Sequence, residues 1–84
     1  MANNLIYLFK IACYQYDGES YGELVGYKSV DGDYTEDYDL IQFYSTRVKA
    51  GQDIDNSDAV ETGYIEVIEQ VSYNYEDTLE LNIK

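Results

Sequence analysis

The carboxylates are the side chains of this sequence that could do chemistry. Seventeen aspartates and glutamates stand against five lysines and arginines, and the formal net charge is -12. Eight acids fall within residues 17–39 and nine within residues 50–83. Three pairs of aspartates have i, i+2 spacing, namely Asp31 with Asp33, Asp37 with Asp39, and Asp53 with Asp55. Such carboxylates could hold a metal ion, catalyse proton transfer, or present ordered negative charge to a basic partner.

The spacing of these pairs suits the third use. Carboxylates at i and i+2 of a β-strand lie about 6.6 Å apart, because a strand rises about 3.3 Å per residue. Duplex DNA carries one charge per about 3.4 Å of rise along each strand. The two spacings are commensurate, so aspartates on a strand can imitate a run of phosphates. Asp37 and Asp39 fall in a segment predicted below to be helical, where their side chains would splay apart.

Metal binding and catalysis fit less well. Residues 53–58, DIDNSD, begin like an EF-hand calcium loop, but Asp58 stands where glycine is required and Tyr64 where a bidentate glutamate belongs. The chain has no histidine, which removes the commonest general base and metal ligand near neutral pH. It also lacks a glycine-rich phosphate loop. We predict no enzymatic activity, no cofactor and no dedicated metal site.

The single cysteine, Cys13, lies in a run of mainly apolar residues. It can form no internal disulfide, and no histidine is available to generate a thiolate, so we predict a buried, unreactive thiol. The longest wholly apolar stretch near the N-terminus covers residues 5–9, well short of the roughly 20 residues that span a bilayer. Residues 1–4 carry no basic side chain of the kind that begins a secretory signal. The sequence therefore predicts a cytoplasmic protein.

The elements that must position the carboxylates follow from hydrophobic periodicity, beginning with a hairpin. Residues 5–16 are dense in β-branched and aromatic side chains and predict a strand, followed by a turn at residues 17–20. Residues 21–30 predict the antiparallel return strand. Gly22 and Gly26 weaken that strand or mark a bulge.

Residues 35–50 predict a helix. Apolar side chains recur there at helical spacing, at Leu40, Ile41, Tyr44 and Val48. Acids fall in its first turns and bases in its last, the order that the helix macrodipole favours, at Glu36, Asp37, Asp39, Arg47 and Lys49. Thr35 or Asp33 would cap its start and Gly51 would stop its end. A polar loop over residues 52–60 would follow.

A second hairpin completes the predicted fold. Residues 62–73 and 78–84 predict two strands, joined by a short connection at residues 74–77. The last strand alternates, with Leu79, Leu81 and Ile83 on one face. The sequence therefore predicts a single acidic α+β domain over residues 1–84, in the order ββαββ. Its sheet would be four-stranded and mainly antiparallel, with one helix packed on one face.

Eleven tyrosines are the second unusual feature of the composition. Tyrosine gives stiff, amphipathic contact area and is enriched at interfaces. With two phenylalanines and no tryptophan, about half of the tyrosines are expected in the core or half-buried on the sheet. The better interface candidates are flanked by acids, and they are Tyr34, Tyr38, Tyr73 and Tyr75.

In size, acidity, tyrosine content and runs such as DGDYTEDYD (31–39), the chain resembles the small acidic phage proteins that inhibit host defence, the DNA-mimicking anti-CRISPR and anti-restriction inhibitors. The resemblance implies a non-enzymatic inhibitor in the host cytoplasm. It would occupy the basic nucleic-acid channel of a nuclease or CRISPR complex, with carboxylates in place of phosphates. The predicted contact residues are Asp31, Asp33, Tyr34, Glu36, Asp37, Tyr38, Asp39, Asp53, Asp55, Asp58 and Glu61.

Two alternatives remain open. The protein could be a small acidic structural or accessory protein that assembles through an exposed sheet edge, with its charge serving solubility. It could also be adapted to a saline cytoplasm, in which case it would unfold at low salt. Because nucleic acids and membrane surfaces are anionic, a chain at -12 is expected to bind neither directly. The sequence is compatible with a monomer or a dimer.

Overall fold

The computed structural model describes residues 4–84, in which six strands and one α-helix are formed. The strands and the helix are β1 (Leu5–Tyr16), β2 (Tyr21–Lys28), β3 (Tyr34–Thr35), β4 (Gln42–Tyr44), α1 (Arg47–Asp55), β5 (Tyr64–Asn74) and β6 (Asn82–Ile83). Three short 3-10 turns cover Tyr38–Leu40, Val60–Thr62 and Tyr75–Thr78. The chain is elongated, with principal extents of 47 × 22 × 22 Å.

Strand β1 lies at the centre of the sheet and pairs along both of its edges. One edge pairs antiparallel with β5 over its whole length, from Leu5 opposite Asn74 to Gln15 opposite Tyr64. The other edge pairs with β4 near its middle and with β2 towards its end. β3 extends the sheet beyond β2, and β6 runs parallel to β4. The six strands form a curled half-barrel.

The first hairpin was predicted correctly. The Asp17 carboxylate accepts hydrogen bonds from the backbone N–H groups of Glu19 and Ser20, which closes the turn between β1 and β2. A bulge follows in β2, because Cys13 faces Gly26 while the next residue of β1 faces Leu24. At Gly26, φ is +157° and an added Cβ would meet the Thr35 carbonyl oxygen at 2.8 Å. Glycine at this position therefore allows β3 to approach β2.

The sheet is covered on both faces, and each face carries a small core. On one face, Leu8, Ile41 and Phe43 are buried, with Leu81 packed against them. On the other, α1 covers the sheet and the buried residues are Ile11, Tyr44 and Ala50. Phe43 and Tyr44 are neighbours in β4, and they point to opposite faces because side chains alternate along a strand.

The predicted four-stranded ββαββ sheet is wrong, and the main error lies in residues 35–50. This segment forms part of β3, a 3-10 turn and β4, and α1 begins only at Arg47 and runs through part of the predicted loop over 52–60. Gln42–Tyr44 are all buried. Because β4 is short and buried on both faces, apolar residues fall close together at Ile41, Phe43 and Tyr44, and periodicity alone cannot separate this pattern from a helix. Val48, assigned to the helical stripe, is 68% exposed.

The predicted caps and charge order of the helix are also wrong. Thr46 is the N-cap, and its side chain accepts a hydrogen bond from the Lys49 N–H. Gly51 lies inside α1 and does not stop it. Arg47 and Lys49 fall in the first turn and two aspartates in the last, which reverses the order that the macrodipole favours. Tertiary contacts and capping outweigh this term, which is worth roughly 0.3–1 kcal/mol per exposed charge.

The predicted second hairpin is wrong in its second strand, which does not form next to β5. Residues 75–78 form a 3-10 turn, and only Asn82–Ile83 of the predicted strand over 78–84 pairs, with β4. Leu79 is exposed while Leu81 packs on the first core, so the alternation does not mark one face. The chain leaves β5 and crosses to the far side of β4. A non-local parallel pairing of two residues leaves no periodic signal in the sequence.

Candidate functional site

The distribution of charged side chains defines the candidate site. Fourteen of the seventeen acids are exposed, and the three that are not form the salt bridges found within residues 4–84. These bridges join Lys10 to Glu69 at 4.0 Å, Lys28 to Glu66 at 3.0 Å, and Lys84 to Asp53 at 3.1 Å. Three of the five cations are thus used on the least exposed acids. The surface keeps fourteen carboxylates, opposed only by Arg47 and Lys49 at the start of α1.

The acids of residues 31–39 lie in turns on either side of β3. All five are exposed, namely Asp31, Asp33, Glu36, Asp37 and Asp39. Side chains fix the backbone here, since Thr35 Oγ1 accepts from the Asp37 N–H and Asp37 Oδ1 accepts from the Asp39 N–H. Both pairs therefore lie on turns, so neither the strand spacing considered for Asp31 and Asp33 nor the helix predicted for Asp37 and Asp39 is found. The third pair, Asp53 and Asp55, lies in α1 and also lacks the strand spacing. The side chains of Ser29, Thr35 and Asp37 accept hydrogen bonds from nearby backbone N–H groups and so set the two turns.

The two tyrosines of this stretch are placed differently. Tyr38 is 48% exposed, and its ring packs edge-on against Phe43 and Tyr73 at centroid distances of 6.0 and 6.3 Å. Tyr34 is half-buried, and its hydroxyl donates to Glu66 Oε2. Burial, together with this hydrogen bond, raises the pKa of Tyr34 far above its usual value. Tyr38 thus presents an apolar surface to solvent, while Tyr34 anchors the turn to the sheet.

The other two predicted interface tyrosines also differ. Tyr73 is half-buried, and its ring packs against Phe43 at a centroid distance of 5.8 Å. Tyr75 is exposed at the end of β5. Of these four tyrosines, Tyr38 and Tyr75 are the two that are exposed, with 48% and 54% of their surface accessible to a partner.

The acids of residues 53–61 lie at the end of α1 and in the loop before β5. Asp55, Asp58 and Glu61 are exposed. Asp53 is half-buried and accepts hydrogen bonds from the Tyr44 hydroxyl at 2.6 Å and from Lys84 Nζ at 3.1 Å. The Tyr44 hydrogen bond, followed by Lys84, holds the Asp53 pKa below its usual value, against the effect of burial. Asp53 therefore joins the second core to the surface.

The two acidic stretches are brought together by the C-terminal segment. Asn82 Nδ2 donates to the Asp39 carbonyl oxygen at 2.8 Å, and Lys84, two residues later, contacts Asp53. On the other side, Tyr34 packs edge-on against Tyr64, the first residue of β5 and the third after the second stretch, at a ring-centroid distance of 5.9 Å. The stretches are about thirteen residues apart in sequence but share these neighbours in space. Periodicity did not predict this arrangement, because the predicted strand over 78–84 was expected to pair as a hairpin and not with β4.

Sequence reasoning missed a buried polar cluster on the helix-covered face of the sheet. Glu66 accepts from Lys28 and Tyr34, beside the buried thiol of Cys13, whose pKa is raised mainly by burial. The prediction that Cys13 is buried is confirmed. The available signal was the position of Glu66, which has the same parity in β5 as Ile68. A charged residue at a strand position whose side chain faces the core is usually paired with an opposite charge or a hydrogen-bond donor, because an unpaired buried charge is costly.

A cleft of about 400 Å³ at the tip of the first hairpin was also missed. Tyr16, Tyr21 and Tyr64 line it, with the carboxylate-bearing Asp17. The Tyr16 and Tyr21 rings meet edge to face at 5.7 Å. Because Tyr64 comes from β5, the cleft is formed by residues far apart in the sequence, and no local sequence pattern predicts it.

Within residues 4–84, no group of three or more Asp, Glu or Cys side chains is arranged to hold a metal ion. The one helix in that range, α1, is too short and too polar to cross a membrane. The arrangement can present negative charge and aromatic surface to a partner. No family model, curated protein or solved structure matches this chain.

Proposed function

We propose that this protein is a non-enzymatic inhibitor of a basic nucleic-acid-binding protein, a nuclease or CRISPR complex in the host cytoplasm. Its surface carboxylates would occupy sites where the target holds phosphates. One observation supports the proposal above all. Lys10, Lys28 and Lys84 form salt bridges with the three least exposed acids, so fourteen exposed carboxylates have no salt bridge within residues 4–84. A field of this sign speeds encounter with a positively charged groove and disfavours anionic partners.

The central contact would be the exposed acids of residues 31–39, with those of residues 53–61 beside them. The turns that carry Asp37 and Asp39 are held by side-chain hydrogen bonds, so little ordering entropy is lost when a partner binds. Tyr38 adds a rigid aromatic contact between these acids. The mimicry is one of charge placed on fixed turns and does not depend on a strand repeat.

The test uses a target recovered from a host lysate and the competition of this protein with DNA for that target. One variant removes four charges from the central patch, with Asp31→Asn, Asp33→Asn, Glu36→Gln and Asp39→Asn. Asp37 is kept because its carboxylate holds the turn. The matched control removes four exposed charges elsewhere, with Glu19→Gln, Glu23→Gln, Glu76→Gln and Glu80→Gln.

We expect the patch variant to lose affinity by about tenfold or more and the control to lose much less, because contacts at the interface outweigh the general field. Rising salt should weaken the wild-type complex. An equal loss of affinity in both variants would show that binding is non-specific electrostatic attraction and would contradict a defined contact at residues 31–39. Full competition by the patch variant would exclude residues 31–39 as the contact.

A second candidate function, assembly with further copies as a structural or accessory protein, is favoured by the outer edge of β5. Within residues 4–84, the β5 backbone from Ile65 to Asn74 pairs with β1 alone. An unpaired edge of this length can accept another strand, and charge on the strand opposes this. Sedimentation velocity over a range of protein and salt concentrations tests the idea. A monomer throughout would exclude assembly.

A further inference from the structure

A cavity of about 270 Å³ lies between the end of α1, the loop that follows it and the start of β5. Its walls are mainly apolar, and the lining residues are Ile54, Ser57, Ala59, Val60, Ile65 and Glu66. Ligand pockets are typically about 300–1,000 Å³, lined by apolar side chains with a few polar groups. The volume and composition of this cavity therefore suit a small, partly apolar group.

Glu66 is the one charged residue in the cavity wall, and its hydrogen bonding is incomplete. Its side chain is 1% exposed. Oε2 accepts from Lys28 Nζ at 3.0 Å and from the Tyr34 hydroxyl, whereas Oε1 is buried and has no hydrogen-bond partner within residues 4–84. Buried carboxylate oxygens are almost always satisfied, because an unmatched one costs free energy. A donor in the cavity would complete the shell of this carboxylate.

The charge around the cavity indicates whether the hydrogen-bond donor to Glu66 would be cationic or neutral. Three exposed acids, Asp55, Asp58 and Glu61, are next in sequence to lining residues, and residues 50–61 contain no lysine or arginine. Lys28 is held on Oε2 and offsets one charge of the cluster. The remaining field at this loop is negative, so it favours a cation over a neutral donor and disfavours an anion.

We propose that the cavity binds an ammonium or guanidinium group on a short apolar stem. The cationic head would donate to Glu66 Oε1, and the stem would lie against Ile54, Val60 and Ile65. Such a group occurs in free alkylamines and in lysine or arginine side chains of a protein. The site does not depend on the proposed inhibition, since it rests on the cavity, on Glu66 and on the negative charge of the neighbouring loop.

The test is an NMR titration of the ¹⁵N-labelled protein with n-butylguanidinium and n-butylammonium, with n-butanol and butyrate at matched ionic strength as reference ligands. We expect saturable shifts of the Ile54, Val60 and Ile65 amides with both cations and much weaker effects with the other two. Capped arginine and lysine amides distinguish the sources. If they bind as the alkyl cations do, a protein side chain can enter. If only the free alkyl cations bind, the ligand is a small amine.

Two variants test the role of the carboxylate. Glu66→Gln should weaken cation binding by about tenfold or more, because a hydrogen bond to a charged group is lost. Glu69→Gln is the matched control, since it removes the same charge from the other face of β5 and should leave affinity unchanged. If Glu66→Gln does not fold, Val60→Phe decides. Val60 is 62% exposed, so a larger side chain should be tolerated at this position without loss of the fold. Because Val60 also lines the cavity, the phenyl ring should narrow it and weaken binding while Glu66 stays in place.

The proposal is overturned by any of three results. The first is equal binding of n-butanol, which would remove the charge requirement. The second is full affinity in Glu66→Gln, or in Val60→Phe where that variant decides. The third is a set of non-saturating shifts spread over the exposed acids, which would indicate only weak ion association at the surface.

Discussion

At the scale of the single residue, Asp53 shows how a carboxylate can serve the surface and the core together. It accepts from the Tyr44 hydroxyl, whose ring is fully buried, and from Lys84 at the C-terminal end. It also belongs to the predicted contact surface, together with the exposed acids of residues 31–39. Changing Asp53 therefore affects stability as well as charge, and its effect on binding must be separated from its effect on folding.

Asp53→Asn should lower the free energy of unfolding at neutral pH by about 1–2 kcal/mol, because a hydrogen bond to a charged acceptor is weakened. The folded-state pKa of Asp53 lies below its usual value of 3.8. Its contribution is therefore present above that value and is lost as the pH falls through the lower folded-state pKa. Urea unfolding at neutral pH and below pH 3.8 measures both effects.

Asp55→Asn is the control, since that carboxylate is exposed at the same helix end. It should leave stability at neutral pH nearly unchanged. Equal stability of the Asp53→Asn variant and the wild type at neutral pH would contradict the role assigned to Asp53.

Buried tyrosines should make the protein sensitive to alkali. Burial is the main cause that raises the pKa of Tyr27, Tyr34, Tyr44 and Tyr73 above the usual value of 10. In the folded state these phenols keep their protons above pH 10, while in the unfolded state they lose them. Their contribution to stability is therefore complete below pH 10 and declines as the pH rises above it.

Absorbance of tyrosinate at alkaline pH, followed together with circular dichroism, tests this expectation. Tyr34, Tyr44 and Tyr73 should keep their protons while the fold persists and ionise only when it is lost. Ionisation of all eleven with unchanged circular dichroism would refute it.

At the scale of the element, the strands that could be predicted are the long ones. β1, β2 and β5 each carry eight or more residues of strand-forming side chains, and local turn residues mark where the first hairpin closes. β4 and β6 have three and two residues, and their pairing depends on distant parts of the chain. α1 has one buried residue, Ala50, so it shows almost no apolar periodicity.

Gly26→Ala should lower the free energy of unfolding by about 1–3 kcal/mol, because the new Cβ would press on the Thr35 backbone at a φ that favours glycine. Gly51→Ala is the matched control within α1, where nothing lies within 4 Å of the added carbon. Alanine should stabilise that helix by roughly 0.5–1 kcal/mol. Chemical denaturation of both variants gives the comparison. Opposite signs are expected, and a neutral Gly26→Ala would contradict the close approach of β3.

At the scale of the whole molecule, composition was enough to predict an acidic surface but not how its acids are arranged. The acids of the candidate site could be named from their clustering, and most are exposed. The inward placement of Tyr34, the dual role of Asp53 and the buried carboxylate of Glu66 depend on how strands meet. The contacts that both acidic stretches make with the C-terminal segment depend on β6, whose pairing is non-local. Local periodicity carries no information on any of these.

The unpaired surface charge should make stability depend on salt. With fourteen exposed acids, raising NaCl from roughly 10 mM to roughly 200 mM should raise the Tm, because screening reduces self-repulsion. The variant with Glu19, Glu23, Glu76 and Glu80 changed to glutamine should respond less. A Tm that falls with salt would contradict the dominance of repulsion. A chain that is unfolded at low salt would instead favour the saline adaptation.

The central position of β1 also decides when the protein can fold during its synthesis. The longest partner of β1 is β5, so Leu5 can pair only after Asn74 has been synthesised. A nascent chain that ends before residue 64 therefore holds an apolar strand with one edge unpaired. Closing this long loop is slow compared with forming local contacts. The sheet thus cannot form until β5 has been made, and until then the incomplete chain is exposed to aggregation and proteolysis.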